Sequence, residues 1–423
     1  MRCRARTVTA APVPLVGLAD VRAAQRLLQG VSRVTPLEGS RPLSDLVGGP
    51  VLLKCENLQR TGSFKVRGAY TRIARLSDAE RARGVVAASA GNHAQGVALA
   101  ASLLGCASTV FMPAAAPLPK VAATQGYGAR VTLAGVTLEE ALAEALAFAD
   151  RTGAVLVHPF DHPDVIAGQG TVGLEVLDQC PDVRTVVVCT GGGGLVSGMA
   201  VALKGLRPDV QVVAVQAAGA AAWPGSLSAG RPVALREMAT IADGIAVGRP
   251  GDVTFAHVRD LVDRVVTVDE GELSRALLLC LERAKLVVEP AGAAGVAAVL
   301  ADPAAFEPPV VVVLSGGNID PLLLGKVIRH GLVAAGRYLS LHVRVPDRPG
   351  ELAHLLALLA GLGANVLDVV HLRTGPRLSL GEVEVELMLE TRGAEHGAAV
   401  VAELTRGSYR VDEAVMRPAA GGA

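Results

Sequence analysis

Short apolar runs alternate with longer stretches rich in Ala and Leu between about residues 50 and 330. The runs are apolar at nearly every position and have the length of strands; they cover residues 85–88, 109–112, 185–189, 210–216, 264–268 and 309–314. Such runs are typical of strands buried on both faces of a parallel sheet. The intervening stretches, such as 94–104 and 195–204, have the composition of helices. The alternation of strand and helix predicts an α/β layered fold.

The pattern changes near residue 336, where apolar and polar residues begin to alternate as in a half-exposed strand. The elements predicted beyond this point are a strand at 339–345, a turn at 346–350, a helix at 351–361, strands at 366–373 and 381–390, a helix at 393–406 and a strand at 409–411. Glu382, Glu384 and Glu386 alternate with apolar residues in the third of these strands. This order predicts a separate small βαββαβ domain, joined at Gly336 and Arg337.

These elements divide the chain into four segments, an N-terminal tail at 1–17, a large domain at 18–336, the small domain at 337–417 and a tail at 418–423. A chain of 423 residues is expected to form two or three domains. The first segment is rich in Arg and free of acidic residues, as transit peptides are. It has no apolar core, and we favour a frayed terminal tail.

Composition and charge narrow the class of protein. Hydrophobic residues make up 51% of the chain and aromatic residues 3%, so the core is expected to consist of Ala, Val and Leu. Uninterrupted apolar stretches fall short of the roughly 18 to 20 residues that span a bilayer, so we expect no membrane segment. The 40 basic and 40 acidic residues cancel without forming a basic run, so we expect no nucleic-acid partner. The six cysteines are scattered without a C-x-x-C pair, which predicts neither disulfides nor a zinc site and suits the cytoplasm.

Lys65 is a candidate nucleophile because it follows a small, flexible segment at 61–63 and lies beside Phe64. A lysine at such a turn can point its amine into a cavity. There, desolvation or a neighbouring cation lowers the pKa of the amine and frees its nucleophilic form. A basic residue, Arg67, follows two positions later. The alternative, a solvated surface lysine, is left open by this segment alone.

Four consecutive glycines, at 191–194, stand between a predicted buried strand and a predicted helix. A backbone without side chains can wrap around a phosphate at the positive end of the helix. A dinucleotide-binding loop is disfavoured, because the G-x-G-x-x-G spacing meets Ser197 and the next strand ends in Gln216 instead of an acid. A P-loop lacks its Gly-Lys-Ser/Thr ending. A phosphate site and a plain tight turn remain.

Two further polar loops follow predicted strands. The first contains Ser89, Gly91, Asn92 and His93 and precedes a helix, so it can bind an anion and a phenolic or carbonyl oxygen; an ordinary N-cap is the alternative. The second begins at Ser315, which offers a hydroxyl. Ligands of open parallel sheets bind beyond the carboxyl ends of the strands. A nucleophilic lysine, a phosphate loop and two polar contact points together indicate pyridoxal phosphate as the cofactor.

The segment 54–69, KCENLQRTGSFKVRGA, is a specific motif, and the other loops occur in the expected order. By these motifs, residues 15–332 resemble the threonine/serine dehydratases (threonine ammonia-lyases), relatives of serine racemase in the tryptophan-synthase-like class of pyridoxal-phosphate enzymes. The resemblance implies fold type II, in which the cofactor lies between two open twisted α/β sheets. It makes 18–336 the catalytic domain, with a smaller subdomain at about 54–159 inserted in the larger one.

The resemblance also implies roles for single residues. Lys65 holds the cofactor covalently, with Phe64 beside it. Asn92 contacts the phenolic oxygen, and Ser315 contacts the pyridine nitrogen. The cofactor phosphate is bound by Gly191, Gly192, Gly193, Gly194 and Leu195. The candidate site for the substrate carboxylate is the loop of Ser89, Gly91, Asn92 and His93. Glu289 matches a family motif near the ring, with a helix-start role as the alternative.

The implied reaction is a β-elimination in which Lys65 removes the Cα proton of L-threonine, yielding 2-oxobutanoate and ammonia. L-Serine is an expected second substrate, and an L-serine dehydratase or racemase is the alternative. Serine racemases have a serine before Gly-Asn-His as a second acid/base, whereas this chain has Ala90, which predicts weak racemisation at most. The related enzymes also bind a cation after the strand that follows the glycine loop. Residues 216–222 lack the acids for it, so we expect no metal.

The segment 345–352, VPDRPGEL, gives the small domain a resemblance to a single ACT domain. This implies control by an amino-acid effector, isoleucine or valine, as in isoleucine biosynthesis, and a homodimer or homotetramer; the segment 315–320 resembles the shorter catabolic type, so both pathways stay open. A dimerisation domain without a ligand is the alternative. A non-catalytic amino-acid sensor with a relic enzyme domain is a hypothesis of another class, and intact Lys65, Asn92 and Ser315 argue against it.

Overall fold

A computed structural model of the protein describes residues 15–334, 336–373 and 378–413. Residues 1–14 of the predicted N-terminal tail, the last residues predicted for the small domain and the whole predicted C-terminal tail lie outside the described residues. The chain divides into two compact units, Met1–Pro321 and Leu322–Ala423.

The strands of the described residues follow the predicted alternation. In chain order they are β1 (Leu37–Gly39), β2 (Val51–Lys54), β3 (Val85–Ala88), β4 (Ser108–Met112), β5 (Arg130–Leu133), β6 (Val155–Leu156), β7 (Thr185–Cys189), β8 (Gln211–Ala217), β9 (Arg264–Val268), β10 (Val310–Val313), β11 (Tyr338–Pro346), β12 (Asn365–Leu372), β13 (Glu382–Glu390) and β14 (Arg410–Glu413). The strands predicted at 85–88, 185–189 and 264–268 have the predicted bounds, and the strand predicted at 210–216 lies one residue further along.

Helices occupy most of the connections between the strands. They are α1 (Leu18–Leu27), α2 (Arg41–Val47), α3 (Lys65–Ala74), α4 (Asp78–Arg83), α5 (Asn92–Leu103), α6 (Leu118–Gly126), α7 (Leu138–Thr152), α8 (Pro163–Gln179), α9 (Gly194–Leu206), α10 (Ala222–Ala229), α11 (Asp252–Leu261), α12 (Glu270–Leu279), α13 (Pro290–Ala301), α14 (Pro321–Ala334), α15 (Glu351–Gly361) and α16 (Ala394–Arg406). Short 3-10 helices span Glu56–Leu58, Arg60–Gly62, Ala218–Ala220, Asp243–Ile245 and Pro303–Ala305, and Cys280–Ala284 is π-helical.

The first unit contains two open sheets. The larger has the strand order β1-β2-β10-β7-β8-β9, and its neighbouring strands are parallel except for β1 with β2. The smaller has the order β5-β4-β3-β6 and is parallel throughout. Its strands lie in the chain between β2 and β7 of the larger sheet. The two sheets confirm the predicted α/β class and fold type II.

Strand order brings the predicted loops to one place. Strands β2, β10 and β7 are consecutive neighbours, and each is buried at most or all of its positions. The segment that leads to Lys65 follows β2, Ser315 follows β10, and the glycine loop follows β7. Because the three strands are parallel, these segments leave the sheet at the same edge.

Glycines allow the helices under this edge to approach closely. A Cβ at Gly168 of α8 would lie 2.5 Å from the carbonyl oxygen of Arg67 in α3. A Cβ at Gly170 would lie 2.6 Å from the carbonyl oxygen of Gly198 in α9. A larger residue at Gly168 would therefore push α8 away from α3, which begins at Lys65, and one at Gly170 would push α8 away from α9, which begins at the glycine loop.

The second unit contains an antiparallel sheet of order β12-β13-β11-β14, with α15 after β11 and α16 after β13. Its core includes Val383, Val385 and Leu387 of β13 and Leu355 and Leu359 of α15. The acidic residues predicted to alternate with them face away from this core, as period-2 alternation requires. The order confirms the predicted βαββαβ arrangement.

Three further observations concern the described residues as a whole. No helix among them is both long enough and apolar enough to cross a membrane. No group of three or more His, Cys, Asp or Glu side chains among them could hold a metal ion. Five of the cysteines, Cys55, Cys106, Cys180, Cys189 and Cys280, are buried free thiols, and Cys3 lies outside the described part of the chain.

Candidate active site

A cavity of about 960 Å³ in the first unit is lined by loops that follow strands of both sheets. It contains every residue that the sequence predicts for the site: Phe64, Lys65, Ser89, Gly91, Asn92, His93, Gly191, Gly192, Gly193, Gly194, Leu195 and Ser315. Its volume is within the range of cavities that hold cofactors and small substrates. The tertiary structure thus brings together segments that are far apart in the sequence.

Lys65 is the first residue of α3, and its amine lies inside the protein. Nζ donates a hydrogen bond to the carbonyl oxygen of Pro159 at 2.9 Å and lies 5.1 Å from the centroid of the Phe64 ring. Desolvation lowers the pKa of this amine to about 8, while Cys189 and Glu289 act in the opposite direction. A lysine with this pKa has an appreciable neutral, nucleophilic fraction near neutral pH.

Arg67 does not face the cavity. It is fully buried and pairs with Glu56 at 2.8 Å and with Glu175 at 2.6 Å, and Glu175 also pairs with Lys54 at 2.6 Å. These pairs join β2, α3 and α8, and the carboxylates compensate the buried cations. Desolvation, and not a neighbouring cation, therefore lowers the pKa of Lys65.

The carbonyl groups of the glycine loop are held by buried side chains. The indole nitrogen of Trp223 donates to the carbonyl oxygen of Gly191 at 2.7 Å, and the Thr254 hydroxyl donates to that of Gly192 at 2.7 Å. Within the described part of the chain, the amides of Gly192 and Gly193 donate to no other group. They stand just before α9, where the helix dipole favours negative charge, so the loop is suited to an anion such as a phosphate.

Close packing requires glycine in this loop. Gly193 has a φ of 98°, and a Cβ there would lie 2.5 Å from the Trp223 ring. A Cβ at Gly192 would overlap the Phe160 ring, and a Cβ at Gly194 would lie 2.9 Å from the Phe160 backbone. The neighbours of the loop, as well as a ligand, therefore exclude side chains from it.

Asn92 begins α5 and takes part in two hydrogen bonds across the cavity wall. Its Nδ2 donates to Oε1 of Glu289 at 2.6 Å, and its Oδ1 accepts a hydrogen bond from Nδ2 of Asn318 at 2.8 Å. Burial, followed by the nearby Asp243, raises the pKa of Glu289 to about 7. Glu289 precedes α13 and also lines the cavity, so its position is compatible with a helix-start role and with a role near the cofactor ring.

Ser315 is 2% exposed, and its Oγ accepts a hydrogen bond from the Cys189 thiol at 3.1 Å. Burial raises the pKa of Cys189 to about 11, so the thiol is protonated at neutral pH. The hydroxyl hydrogen of Ser315 can therefore be donated to another acceptor in the cavity. Sequence reasoning missed Cys189 as a cavity residue, although its position at the end of a buried strand before the glycine loop was a usable signal.

In the loop before α5, the side chains of Ser89 and His93 each form a hydrogen bond with a backbone group. The Gly91 amide donates to the Ser89 hydroxyl at 3.1 Å, and Nε2 of His93 donates to the carbonyl oxygen of Val157 at 2.8 Å. Burial, followed by the charge of Lys65, lowers the pKa of His93 to about 3, so its ring is neutral at pH 7. Backbone groups of this loop, rather than the imidazole, are therefore the groups that can receive an anion.

Sequence reasoning also missed Lys120 and His158, two cavity residues that carry no local motif. Lys120 donates to Asp243 at 3.0 Å, and both line the cavity. His158 stacks edge-on against Phe160 with ring centroids 4.7 Å apart, and burial lowers the pKa of His158 to about 4. Their roles depend on contacts between distant segments.

These residues fit pyridoxal phosphate. The lysine amine can bond an aldehyde, and the unpartnered glycine amides before α9 can bind a phosphate. The Asn92 amide has one N–H beyond the one bound to Glu289, and Ser315 has a hydroxyl hydrogen that Cys189 does not use. These two donors match a phenolic oxygen and an unprotonated ring nitrogen.

Comparisons with known proteins agree with this fit. The family described as "Pyridoxal-phosphate dependent enzyme" matches residues 28–316. A Thermotoga maritima protein named L-threonine ammonia-lyase is 49% identical over 397 residues, which cover 94% of this chain and 99% of that protein. The solved threonine deaminase isoform 2 of Solanum lycopersicum is 36% identical with a TM-score of 0.72, and the match covers 77% of this chain and 94% of that one. Maize serine racemase is 36% identical with a TM-score of 0.71, covering 76% and 99%.

Proposed function

This chain belongs to the pyridoxal-phosphate dependent enzyme family, and on that basis we propose that it is a threonine ammonia-lyase that converts L-threonine to 2-oxobutanoate and ammonia. One observation carries this proposal: the similarity to a Thermotoga maritima L-threonine ammonia-lyase extends over 94% of the chain. The cavity supports it, because a desolvated lysine amine and a glycine loop suited to an anion line the same cavity.

The cofactor, when bound, supplies an electron sink for the substrate carbon that loses its proton. Nζ of Lys65 would hold the cofactor through its aldehyde and, once the substrate amine has displaced it, would be free to accept the Cα proton of the substrate. A pKa of about 8 suits this second task, because a general base works best when its pKa lies near the working pH. The carbonyl oxygen of Pro159 holds the amine in the cavity through the bond at 2.9 Å.

The other predicted site residues bind and orient. The amides of the segment 191–195 would hold the phosphate at the start of α9. The second N–H of Asn92 would donate to the phenolic oxygen, and the Ser315 hydroxyl would donate to the ring nitrogen. A neutral hydroxyl at this position would leave the nitrogen unprotonated, which would make the bound cofactor a weaker electron sink than one paired with a carboxylate. Backbone amides of the loop 89–93 other than those of Ser89 and Gly91, which already donate within the protein, would receive the substrate carboxylate.

Racemisation is the nearest competing activity, because the similar structures include a serine racemase. Racemisation requires an acid or base on the face of the substrate opposite Lys65. Ala90 lines the cavity and has only a methyl group, which transfers no proton. We therefore expect elimination to exceed racemisation, and Ala90→Ser to raise racemisation as measured by chiral chromatography of unreacted L-serine.

The proposed function is tested by an assay for 2-oxo acids with L-threonine and L-serine. We expect the wild type to produce 2-oxobutanoate and Lys65→Ala to lose both turnover and visible cofactor absorbance. Lys204→Ala serves as a matched control, because Lys204 pairs with Asp263 at 2.8 Å and does not line the cavity. A wild type that neither takes up added cofactor nor consumes either substrate would overturn the proposal.

For the second unit we propose an ACT-type regulatory domain, assigned to residues 337–417, that binds an amino acid and joins subunits into a homodimer or homotetramer. The βαββαβ order supports this assignment. The turn that contains Asp347 is the candidate effector site, and Asp347 is paired with Arg373 at 3.2 Å. Turnover measured with and without isoleucine or valine, together with mass by light scattering, distinguishes a regulatory domain from one used only for assembly.

A further inference from the structure

Asn318 connects the segment before Lys65 with the residue that begins α5. Its Nδ2 donates to the carbonyl oxygen of Thr61 at 2.6 Å and to Oδ1 of Asn92 at 2.8 Å. Nδ2 of Asn92 in turn donates to Glu289 at 2.6 Å. In this chain of hydrogen bonds Asn318 donates in two directions, to a backbone carbonyl and to Asn92, and Asn92 donates in turn to a carboxylate.

The backbone carbonyl of Thr61 determines how the two amide side chains in this chain are oriented. A backbone carbonyl accepts hydrogen bonds and cannot donate them, so the Asn318 group that faces Thr61 must be the NH₂. The same NH₂ faces Asn92, which therefore must present its oxygen to Asn318 and its own NH₂ to Glu289. The orientation of the Asn92 amide follows from Thr61 without any free choice.

The backbone near Asn318 leaves room for the Asn318 side chain and offers it an acceptor. A Cβ at Gly62 would lie 2.5 Å from Oδ1 of Asn318, so only glycine leaves room for this side chain. Thr61 has a φ of 63°, which is costly for a β-branched residue and turns its carbonyl to this acceptor position. The amide of Gly317 also donates to the carbonyl oxygen of Gly62 at 2.9 Å, and that of Phe64 to the carbonyl oxygen of Ser315 at 3.2 Å.

We propose that Asn318 is a positioning residue that sets the orientation of the Asn92 amide relative to Lys65. With both ends of that amide engaged, its second N–H is left for the phenolic oxygen of the cofactor. This proposal rests on the proposed function, because it concerns the same cofactor. Asn318 itself acts only through Asn92.

Loss of Asn318 removes one of two restraints on Asn92 and leaves Glu289 as the other. The Asn92 donor is then held less well against the phenolic oxygen. A hydrogen-bond donor favours the deprotonated form of an oxygen, so a weakened donor raises the pH at which that oxygen loses its proton. The visible absorbance of the cofactor-loaded protein reports this change.

The test is a double-mutant cycle of Asn318→Ala with Asn92→Ala, read by titrating the visible absorbance of loaded protein against pH. We expect Asn318→Ala to raise the midpoint by about half a pH unit and to weaken cofactor binding about fivefold, as one neutral hydrogen bond would. In the Asn92→Ala background, Asn318→Ala should cause no further shift. If Asn318→Ala does not fold, Asn318→Ser, whose hydroxyl is too short to bridge both partners, is measured with the same expectation.

Asn57→Ala is the matched control. Asn57 is a buried asparagine whose Nδ2 also donates to a backbone carbonyl, that of Val287 at 3.1 Å, but it makes no bond to Asn92. We expect it to lower the melting temperature of cofactor-free protein as much as Asn318→Ala does, without moving the absorbance midpoint. Equal shifts in both backgrounds, or an unmoved midpoint in Asn318→Ala, would refute the proposal. A wild type that binds no cofactor would overturn the proposed function as well.

Discussion

In cofactor-free protein, Lys65 should react with aldehydes at a pH where ordinary lysines are almost fully protonated. Desolvation lowers its pKa from 10.5 to about 8. At pH 7 about 9% of an amine with that pKa is neutral, against about 0.03% of an ordinary lysine, a difference of about 300-fold. The corresponding cost of burying the charge is about 3 kcal/mol, which the fold supplies by closing the cavity around the amine.

The assay is reductive labelling with a small aldehyde and borohydride between pH 6 and pH 11, followed by peptide mass spectrometry. The remaining lysines of the same sample provide the internal reference. Labelling of Lys65 should rise with a midpoint near pH 8. Glu289→Gln should lower that midpoint further, since the Glu289 carboxylate stabilises the charged amine. A Lys65 midpoint near pH 10, or one that rises in Glu289→Gln, would refute the argument from desolvation.

Three other changes have expected outcomes that follow from single contacts. Gly192→Ala places a Cβ in the Phe160 ring and should weaken cofactor binding at least about tenfold, as measured by quenching of the single tryptophan. The control is Gly225→Ala, whose Cβ meets no atom within 4 Å and should leave cofactor binding unchanged. Trp223→Phe leaves a glycine-loop carbonyl without its donor and should destabilise the protein by about 1–3 kcal/mol, measured by denaturant unfolding; unchanged stability would contradict this. Folding raises the pKa of Glu289 from 4.5 to about 7, so its contribution to stability is present below pH 4.5 and is lost as the pH rises through 7. In cofactor-free protein, the free energy of unfolding of Glu289→Gln should therefore rise by about 3 kcal/mol relative to that of the wild type between pH 4.5 and pH 7. A difference between the two proteins that does not change with pH would contradict the raised pKa.

Much of the fold could be predicted from local pattern. Runs such as 185–189 are apolar on every residue after the first, and only a strand covered on both faces buries all of them, so β7 has the predicted bounds. The alternation in β13 likewise implied one buried and one exposed face. The strand at 210–216 was misplaced by one residue because polar Gln211 and Gln216 border its apolar residues and leave the ends of β8 undefined.

The sequence by itself determined which residue types reach the candidate site. Lys65, the four glycines and Ser315 follow β2, β7 and β10, and parallel strands that are neighbours in a sheet bring the segments after them to one edge; Asn92 follows β3 of the smaller sheet. Only the tertiary structure decided what surrounds them. It desolvates the Lys65 amine and thereby lowers its pKa, it pairs Arg67 with Glu56, and it joins Asn318 to Asn92. Desolvation and hydrogen bonding depend on distances between segments far apart in the chain, and local sequence pattern does not specify those distances.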